Sequence, residues 1–373
     1  MRVLLLGEYS NVHWTLAEGL RTLGHEVCVV SNGDFWKNYP RDHDLSRHPG
    51  KPLDGISFLC KLLRLLPRLR GYDVVQLINP MFLELRAQLI FPVYDYLRRH
   101  NRKIVLGAFG MDYYWVSTCC NEKPLRYSDF NIGDELRQDE CALTERADWV
   151  GTAKEQLNRH VASTCHGIVA GLYEYWACYT RHFPAKTVFI PYPIDLPSEN
   201  LSDSSAEDSS SHAGKGPVKA FIGINKSRSH YKGTDIMLEA AQAIARRYPQ
   251  QFRLTIAESV PFAEYQHLMN HSDVILDQLY SYTPSMNSLL AMSKGIVCVG
   301  GGEPENYEII HEPHLRPILN VEPTYQSVYH VLEQLVLHPE QLPRLKRESV
   351  EYVRRHHEKL RVASCYTEYY KSL

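Results

Sequence analysis

Long apolar runs are absent from this chain of 373 residues, and no stretch approaches the roughly 18 uninterrupted apolar residues of a membrane-spanning helix. The opening stretch, from Met1 to Gly7, is apolar for only four consecutive residues before the glycine, which is too short for the core of a signal peptide. We therefore expect a cytoplasmic protein.

Three further absences narrow the function. The formal charge of −2 offers no basic excess, which argues against a nucleic-acid partner. The nine cysteines include no C-x-x-C pair, so we expect neither a disulfide framework nor a zinc site. The turn after Gly7 lacks the G-x-G-x-x-G pattern of nicotinamide and flavin enzymes. No metal and no bound cofactor are expected.

Short β-branched and aliphatic runs alternate with helical patterns along two stretches of the chain. Strands are predicted in the first stretch at 3–6, 27–30, 74–78, 104–106, 167–170 and 187–190, and in the second at 218–222, 252–256, 274–277, 296–299 and 316–318. Such alternation is typical of parallel sheets with crossover helices. The predicted class is α/β, with two Rossmann-like doubly wound domains.

The domain boundaries follow from composition. Residues 198–216 are rich in serine and aspartate and predict a flexible linker. It separates an N-terminal domain, 1–197, from a C-terminal Rossmann-like domain, 217–354. A last helical segment, 355–373, could pack back on the N-terminal domain.

A strand-to-helix loop with three cations opens the second domain. It leaves the strand at Gly223 and Asn225 and passes through Arg228 to Lys232. Fixed Arg and Lys donors can stabilise the charge of a nucleoside diphosphate leaving group without a metal ion. Arg228 and Lys232 are therefore candidate catalytic residues, and a solvated basic loop is the alternative.

A short helix is predicted further along the second domain. Thr283 is the expected N-cap, Pro284 the first helical residue, and Gly295 the C-terminal stop. The free amides and the positive dipole end of such a helix suit a phosphate or a ribose.

The first domain offers candidates at two strand ends. Asn11 and His13 follow the first strand and are candidate acceptor contacts, although Asn11 could equally cap the next helix. Asp112 follows the strand that ends near Leu106. It is a candidate substrate contact, or it caps a helix.

Residues 56–70 mix bulky apolar side chains with four cations. Such a segment could lie on an anionic membrane surface, at the inner face of the membrane, and collect a lipid-linked acceptor. A core-facing helix that ends at Pro67 is the alternative.

Taken together, these segments resemble the retaining GT-B glycosyltransferases of the group-one, family-4-like type. The likeness rests on Gly24-His25-Glu26-Val27 after the opening strand and loop, on the basic loop that ends at Lys232-Gly233, and on 290–295, which matches the family's Glu-Ala-Met-Ala-x-Gly. The resemblance implies two domains that face each other across a cleft. It gives Arg228 and Lys232 the donor diphosphate. It places Asp112 on the acceptor side, where the carboxylate would steer the acceptor hydroxyl or stabilise positive charge on the anomeric carbon. The candidate donor-site residues are Gly223, Asn225, Tyr282, Thr283, Asn287, Ser288 and Glu305.

The chain departs from that family at two positions. The family carries two glutamates eight residues apart, and the matching residues are Tyr282 and Leu290. Leu290 cannot accept hydrogen bonds from ribose hydroxyls. Ribose recognition must then come from Asn287 or from the acidic turn at 302–305, or the donor site is altered.

The function expected from this resemblance is transfer of a hexose from a nucleotide-diphosphate sugar to a glycan or lipid-linked acceptor. The reaction would be metal-independent, would retain the anomeric configuration, and would serve bacterial surface polysaccharide biosynthesis. Two alternatives stay open: a nucleotide-sugar epimerase of the same fold, and a catalytically degenerate nucleotide-binding partner protein.

Overall fold

A computed structural model describes residues 1–47, 53–196, 216–224, 229–258 and 260–373. It divides into two compact units. The first unit holds 1–124, 144–193 and 359–373, and the second holds 125–143 and 194–358. The predicted linker, 198–216, lies outside the described residues except for its last residue, as do Asn225 and Arg228.

The first unit is built on a parallel sheet. Its strands are β1 (Arg2–Leu6), β2 (Glu26–Ser31), β3 (His43–Asp44), β4 (Val74–Leu77), β5 (Lys103–Ala108), β8 (Gly167–Ala170) and β9 (Thr187–Phe189). They lie in the order β3-β2-β1-β4-β5-β8-β9. Val3 to Leu6 of β1 are fully or almost fully buried, as a central strand covered on both faces requires.

Helices lie in the connections between these strands. They are α1 (Val12–Thr22), α2 (Asp54–Leu65), α3 (Ala87–His100), α4 (Tyr113–Asn121), α5 (Glu140–Trp149), α6 (Ala153–Thr164) and α7 (Tyr173–His182), and residues 140–143 of α5 belong to the second unit. A further helix of the first unit, α15 (Lys359–Ser372), ends the chain. Helix α15 packs against α1 at Gly19, where an added Cβ would lie 2.7 Å from the Lys359 carbonyl oxygen and 2.8 Å from the Ala363 Cβ. The C-terminal helix therefore belongs to the first unit.

The second unit has its own parallel sheet. The strands are β10 (Val218–Ile224), β11 (Phe252–Glu258), β12 (Val274–Leu276), β13 (Val297–Gly300) and β14 (Leu319–Asn320), in the order β11-β10-β12-β13-β14. The helices are α8 (Ser229–Lys232), α9 (Thr234–Arg247), α10 (Phe262–Asn270), α11 (Met286–Met292), α12 (Pro304–Ile309), α13 (Tyr325–Leu337) and α14 (Leu342–His357). With the first sheet, this arrangement confirms the predicted α/β class.

Two predicted elements are displaced. The strand predicted at 316–318 forms at 319–320 instead, because Pro317 has no amide to donate to a sheet ladder. The helix predicted to start at Pro284 begins at Met286, with Ser285 as its N-cap. The Ser281 hydroxyl and the Glu303 amide hold the preceding residues in a loop by donating to main-chain carbonyls.

Residues 125–143, called here the hairpin segment, group with the second unit although the sequence placed them in the N-terminal domain. The segment contains the antiparallel pair β6 (Asn131–Ile132) and β7 (Glu135–Leu136). Ser128 and Asn131 close its turn, since the Ser128 amide donates to the Asn131 carbonyl at 2.8 Å. The hairpin segment therefore supplies the second unit with side chains from a distant part of the sequence.

Candidate functional site

The candidate site lies at the carboxyl edge of the second sheet, where the loops that follow its strands meet. The chain order reverses between β10 and β12, and in doubly wound sheets ligands bind beyond the carboxyl ends of the strands at such a switch point. The predicted donor-site residues lie in or beside the connections that follow β10, β12 and β13. The site is described here from these loops and from the hairpin segment.

Gly223 lies next to the last residue of β10, and Lys232 lies in the connection that follows this strand. An added Cβ at Gly223 would lie 2.4 Å from the Tyr265 ring, so a larger residue would displace that ring. Lys232 ends α8, and its carbonyl accepts from the Leu279 amide at 3.0 Å. Gly233 follows at φ +70°, a conformation that favours glycine. Lys232 is thus tied by its backbone to the loop after β12.

Asp277 organises the loop after β12. Its carboxylate accepts from the hydroxyls of Ser285 and Ser288, each at 2.5 Å, and from the Asn287 amide at 3.3 Å. Asn287 also donates to the Tyr265 hydroxyl at 2.8 Å. Two predicted donor-lining residues, Asn287 and Ser288, therefore belong to a network that fixes the start of α11.

Tyr282 stands where the resemblance expects the first glutamate. The side chain is almost completely buried, and its hydroxyl accepts from the Arg126 amide at 2.7 Å. Burial raises the pKa of Tyr282 to about 12, so the phenol stays neutral at physiological pH. Thr283 beside it is also buried. Neither side chain offers a charge to a ligand.

Carboxylates appear instead at the turn after β13. Arg126 donates to Glu303 at 2.7 Å and to Glu305 at 2.5 and 3.1 Å. The Tyr127 hydroxyl donates to Glu303, and the Tyr127 and Tyr282 rings lie 4.9 Å apart. A cavity of about 580 Å³ opens here, lined by Arg126, Tyr127, Glu303, Pro304, Glu305, Glu308, Asn320 and Glu322.

The charges at this turn shift each other's ionisation. Burial would raise the pKa of Glu305, but the bonds from Arg126 hold it below its usual value. The same bond raises the pKa of Arg126. A carboxylate has about four acceptor positions, so Glu303 and Glu305 can take hydroxyl donors while Arg126 stays bound.

The sequence did not identify several of these residues as members of the site. Arg126, Tyr127 and Asp277 were not predicted, although the acidic turn was named as one place for ribose recognition. The partners of Arg126 lie 177 and 179 residues away, a separation that carries no local signal. Asp277 was seen only as the end of a strand.

The loop after β1 is more deeply buried than predicted. The His13 side chain has no exposed surface, with Nδ1 2.8 Å from the Gly7 carbonyl oxygen and Nε2 3.3 Å from Gln76. Burial lowers the pKa of His13 to about 3, so the ring is neutral. His13 is therefore a core histidine here, and the predicted acceptor contact has no surface to make it.

Asn11 and Glu8 border the same loop. Asn11 lies at the N-cap position of α1 at φ 71°, but its side chain donates to Thr15 rather than capping the helix. Glu8 takes the capping role that had been considered for Asn11, since its carboxyl accepts from the amides of His13 at 3.2 Å and Trp14 at 2.9 Å. Burial raises the pKa of Glu8 to about 8.

Asp112 is the N-cap of α4. Its carboxyl accepts from the Trp115 amide at 2.9 Å and from the Tyr179 hydroxyl at 2.7 Å, and the side chain is fully buried. Burial raises the pKa of Asp112 to about 7. Of the roles that the sequence left open for Asp112, the geometry supports the helix cap.

The 56–70 segment has one buried apolar face and several exposed apolar residues. Phe58, Leu62 and Leu65 are buried on one face of α2, whereas Ile56, Leu59 and Leu63 remain exposed at 61%, 43% and 57%. Residues 64, 68 and 70 are exposed arginines. Within the described ranges, no helix combines the length and apolar character needed to cross a bilayer.

No protein-family model matches the chain, and neither does any curated protein sequence. Solved structures do match over nearly all of both chains. Sucrose-phosphate synthase from Thermosynechococcus elongatus aligns at a TM-score of 0.61 and 14% identity, covering 100% of this chain and 98% of that one.

Two further solved structures align over 100% of both chains. They are Anabaena HepE in complex with UDP-glucose, at a TM-score of 0.60 and 11% identity, and UDP-GlcNAc 2-epimerase from Neisseria meningitidis bound to UDP-GlcNAc, at 0.53 and 12%. Identities this low establish the fold alone. This chain has the GT-B fold, which it shares with the sucrose-phosphate synthase, HepE and epimerase structures.

Proposed function

We propose that this protein is a glycosyltransferase that takes its sugar from a nucleotide-diphosphate donor bound at the carboxyl edge of the second sheet. The observation that carries the proposal is the convergence of Lys232, the Asp277 network and the Glu303–Glu305 turn at that edge, in a chain with the GT-B fold. The similar HepE structures contain UDP and UDP-glucose.

The leaving group is the nucleoside diphosphate, whose β-phosphate gains negative charge as the glycosidic bond breaks. We assign Lys232 and Arg228 to that charge, because cationic donors fixed before the reaction lower the barrier without reorganising. Residue 228 lies outside the described residues, so its part rests on its place in the loop. With two cations in this role, no metal ion is required.

The nucleoside would bind against the loops after β12 and β13. Glu303 and Glu305 supply the hydroxyl acceptors that Tyr282 and Leu290 cannot, which makes the acidic turn our candidate for the ribose. Gly223, Asn225, Thr283 and Asn287 remain candidates for lining the same pocket.

The finer assignment is a hexosyltransferase that retains anomeric configuration and acts on a glycan or lipid-linked acceptor in bacterial surface polysaccharide biosynthesis. The exposed apolar residues of α2 and the neighbouring arginines favour peripheral contact with an anionic membrane, on the cytoplasmic side. Co-sedimentation with phosphatidylglycerol vesicles tests the contact. Ile56→Ser with Leu63→Ser should abolish it, and unchanged binding by that variant would refute it.

An epimerase is the second candidate, since UDP-GlcNAc 2-epimerase has a similar fold and needs no separate acceptor. A nucleotide-binding protein without catalysis is the third, because both family glutamates are replaced. The three hypotheses predict different fates for the nucleotide-sugar donor.

Incubation with UDP-glucose, UDP-GlcNAc, GDP-mannose and ADP-glucose, with and without a lipid extract as acceptor, separates them. Proton NMR would follow the anomeric signal of each donor. Release of nucleoside diphosphate that depends on acceptor supports transfer, and a changed sugar without release supports epimerisation. Nucleotide binding with an unchanged donor in every mixture would support a nucleotide-binding protein without catalysis.

A further inference from the structure

Arg137 of the hairpin segment lies against the loop that carries Lys232. Its guanidinium donates to the main-chain carbonyls of His230 at 2.7 Å and Tyr231 at 3.2 Å. Its central carbon lies 3.7 Å from the centre of the Tyr280 ring. Arg137 thus joins the loops after β10 and β12 through one side chain.

The arginine is nearly completely buried, at 8% exposed. A buried cation is costly unless it is paired and hydrogen-bonded. Asp139 supplies the countercharge at 3.0 Å, and the Tyr280 ring stacks on the guanidinium. Three main-chain carbonyls, those of Ser128, His230 and Tyr231, accept from the terminal nitrogens. These acceptors match the planar fork of donors on a guanidinium, which a lysine ammonium does not have.

The turn that Arg137 holds has few internal bonds: the Gly233 amide donates to the His230 carbonyl at 3.3 Å, and the Ser229 and Thr234 hydroxyls lie 3.0 Å apart. Within the described residues helix α8 has four residues, too few for cooperative helix stability. Its last carbonyls need outside partners. Those of residues 230 and 231 bond to Arg137, and that of Lys232 accepts from the Leu279 amide at 3.0 Å.

A second contact from the hairpin segment holds the same turn. The Tyr231 hydroxyl donates to Asp129 at 2.6 Å. The hairpin segment therefore bonds to main-chain carbonyls of α8 through Arg137 and to the Tyr231 side chain through Asp129, immediately before Lys232.

We propose that Arg137 is a positioning residue for diphosphate binding, which sets the direction of Lys232 toward the β-phosphate of the donor. The inference rests on the proposed function and deepens it. It assigns part of the donor site to a segment that lies outside the motifs of the nucleotide-binding half. Arg137 acts through the backbone of α8, and the phosphate is bound by Lys232.

The test compares a nucleoside diphosphate with its monophosphate by isothermal titration calorimetry. The pairs are UDP and UMP, GDP and GMP, and ADP and AMP, and the pair with the tightest wild-type diphosphate binding is used throughout. Arg137→Gln should weaken diphosphate binding roughly tenfold, the effect of one lost charge-assisted contact. Monophosphate binding should change less than about threefold, since it lacks the β-phosphate.

A double-mutant cycle separates positioning from general stability. In a Lys232→Ala background, Arg137→Gln should cost less than about twofold more diphosphate affinity, because the two residues act as one unit. Arg137→Lys should recover part of the affinity. Arg247→Gln is the matched control, since Arg247 also stacks on a tyrosine, Tyr248, and pairs with Glu333, but at the far end of α9. It should bind like wild type.

Equal losses for diphosphate and monophosphate, or losses that multiply in the double variant, would overturn the inference and leave the proposed function standing. If Arg137→Gln fails to fold, Arg137→Lys carries the same comparison. Failure of the wild-type protein to bind any of the three diphosphates would instead defeat the proposed function, and the inference with it.

Discussion

Removing the Arg126 side chain should destabilise the second unit by an amount that the geometry allows us to estimate. Arg126 bridges Glu303, whose side chain is 8% exposed, and Glu305, which is 21% exposed. In Arg126→Ala the two carboxylates lose a shared counter-ion. Glu303 then remains a buried charge with the Tyr127 hydroxyl as a hydrogen-bond donor.

The magnitude follows from opposing contributions. Direct attraction between unit charges about 4 Å apart near a protein surface is roughly 4 kcal/mol. About half is offset by ordering the arginine, which is more than half exposed, and by desolvating the carboxylate. We expect a net loss of about 2 kcal/mol, or roughly 4–8 °C in Tm for a unit of this size.

Differential scanning calorimetry at pH 7 measures the shift. Arg344→Ala is the matched control, because Arg344 makes an exposed pair with Glu348 on α14 and such pairs contribute about 0.5 kcal/mol or less. Arg126→Lys should lie between wild type and Arg126→Ala. A Tm for Arg126→Ala within about 1 °C of the Arg344→Ala value would refute the reasoning.

The pH dependence of that difference has a defined sign. Arg126 holds the pKa of Glu305 below its usual value, so this contribution is present above about pH 4.5 and is lost as the pH falls. The gap in Tm between wild type and Arg126→Ala should therefore narrow in acid. A gap that widens below pH 4.5 would contradict the ion-pair explanation.

Two further predictions concern buried carboxyl groups. Burial opposes ionisation of Glu312, but four hydrogen bonds lower its pKa to about 2; the donors are the Leu315 amide, His356, the His314 amide and Arg355. The ionised Glu312 therefore stabilises the fold fully above about pH 4.5, and this stabilisation is lost as the pH falls through about 2. Glu312→Gln should cost about 2 kcal/mol at pH 7 and much less near pH 2, measured by urea unfolding, and an equal cost at both would contradict this. Burial raises the pKa of Glu8 to about 8, so its contribution is full below about pH 4.5 and is lost as the pH rises through 8. Relative to Glu8→Gln, wild-type protein should lose Tm between pH 5 and pH 8, and parallel pH profiles would exclude that pKa.

The sheets were readable from the sequence for a physical reason. Buried parallel strands are continuous apolar runs, and Val3 to Leu6 or Ile104 to Leu106 need no partner information to be recognised. Gly295 ends the region of α11 at φ +74°, as a C-terminal glycine should. Where the pattern was weak, the predicted and observed positions differ by a few residues, as at the strand near Pro317.

The site was harder to predict because its contacts are long-range. Arg137 lies 93 residues from His230, and no spacing rule links them. The core position of His13 did leave a signal, since His13, Leu16 and Leu20 share one face of α1, at i, i+3 and i+7. Reading that face as apolar would have placed the histidine inside. Asp112, in turn, had the form of a helix cap from the start.

Nucleotide binding tests the central claim most directly. Thermal-shift and calorimetric titrations of wild-type protein and Lys232→Ala with UDP, GDP, ADP and CMP would measure it at one salt concentration. Our account predicts that wild type binds one nucleoside diphosphate, and that Lys232→Ala keeps its fold, by circular dichroism, but binds it at least about tenfold more weakly. Equal binding by the two proteins, or no binding by wild type to any of the four nucleotides, would contradict it.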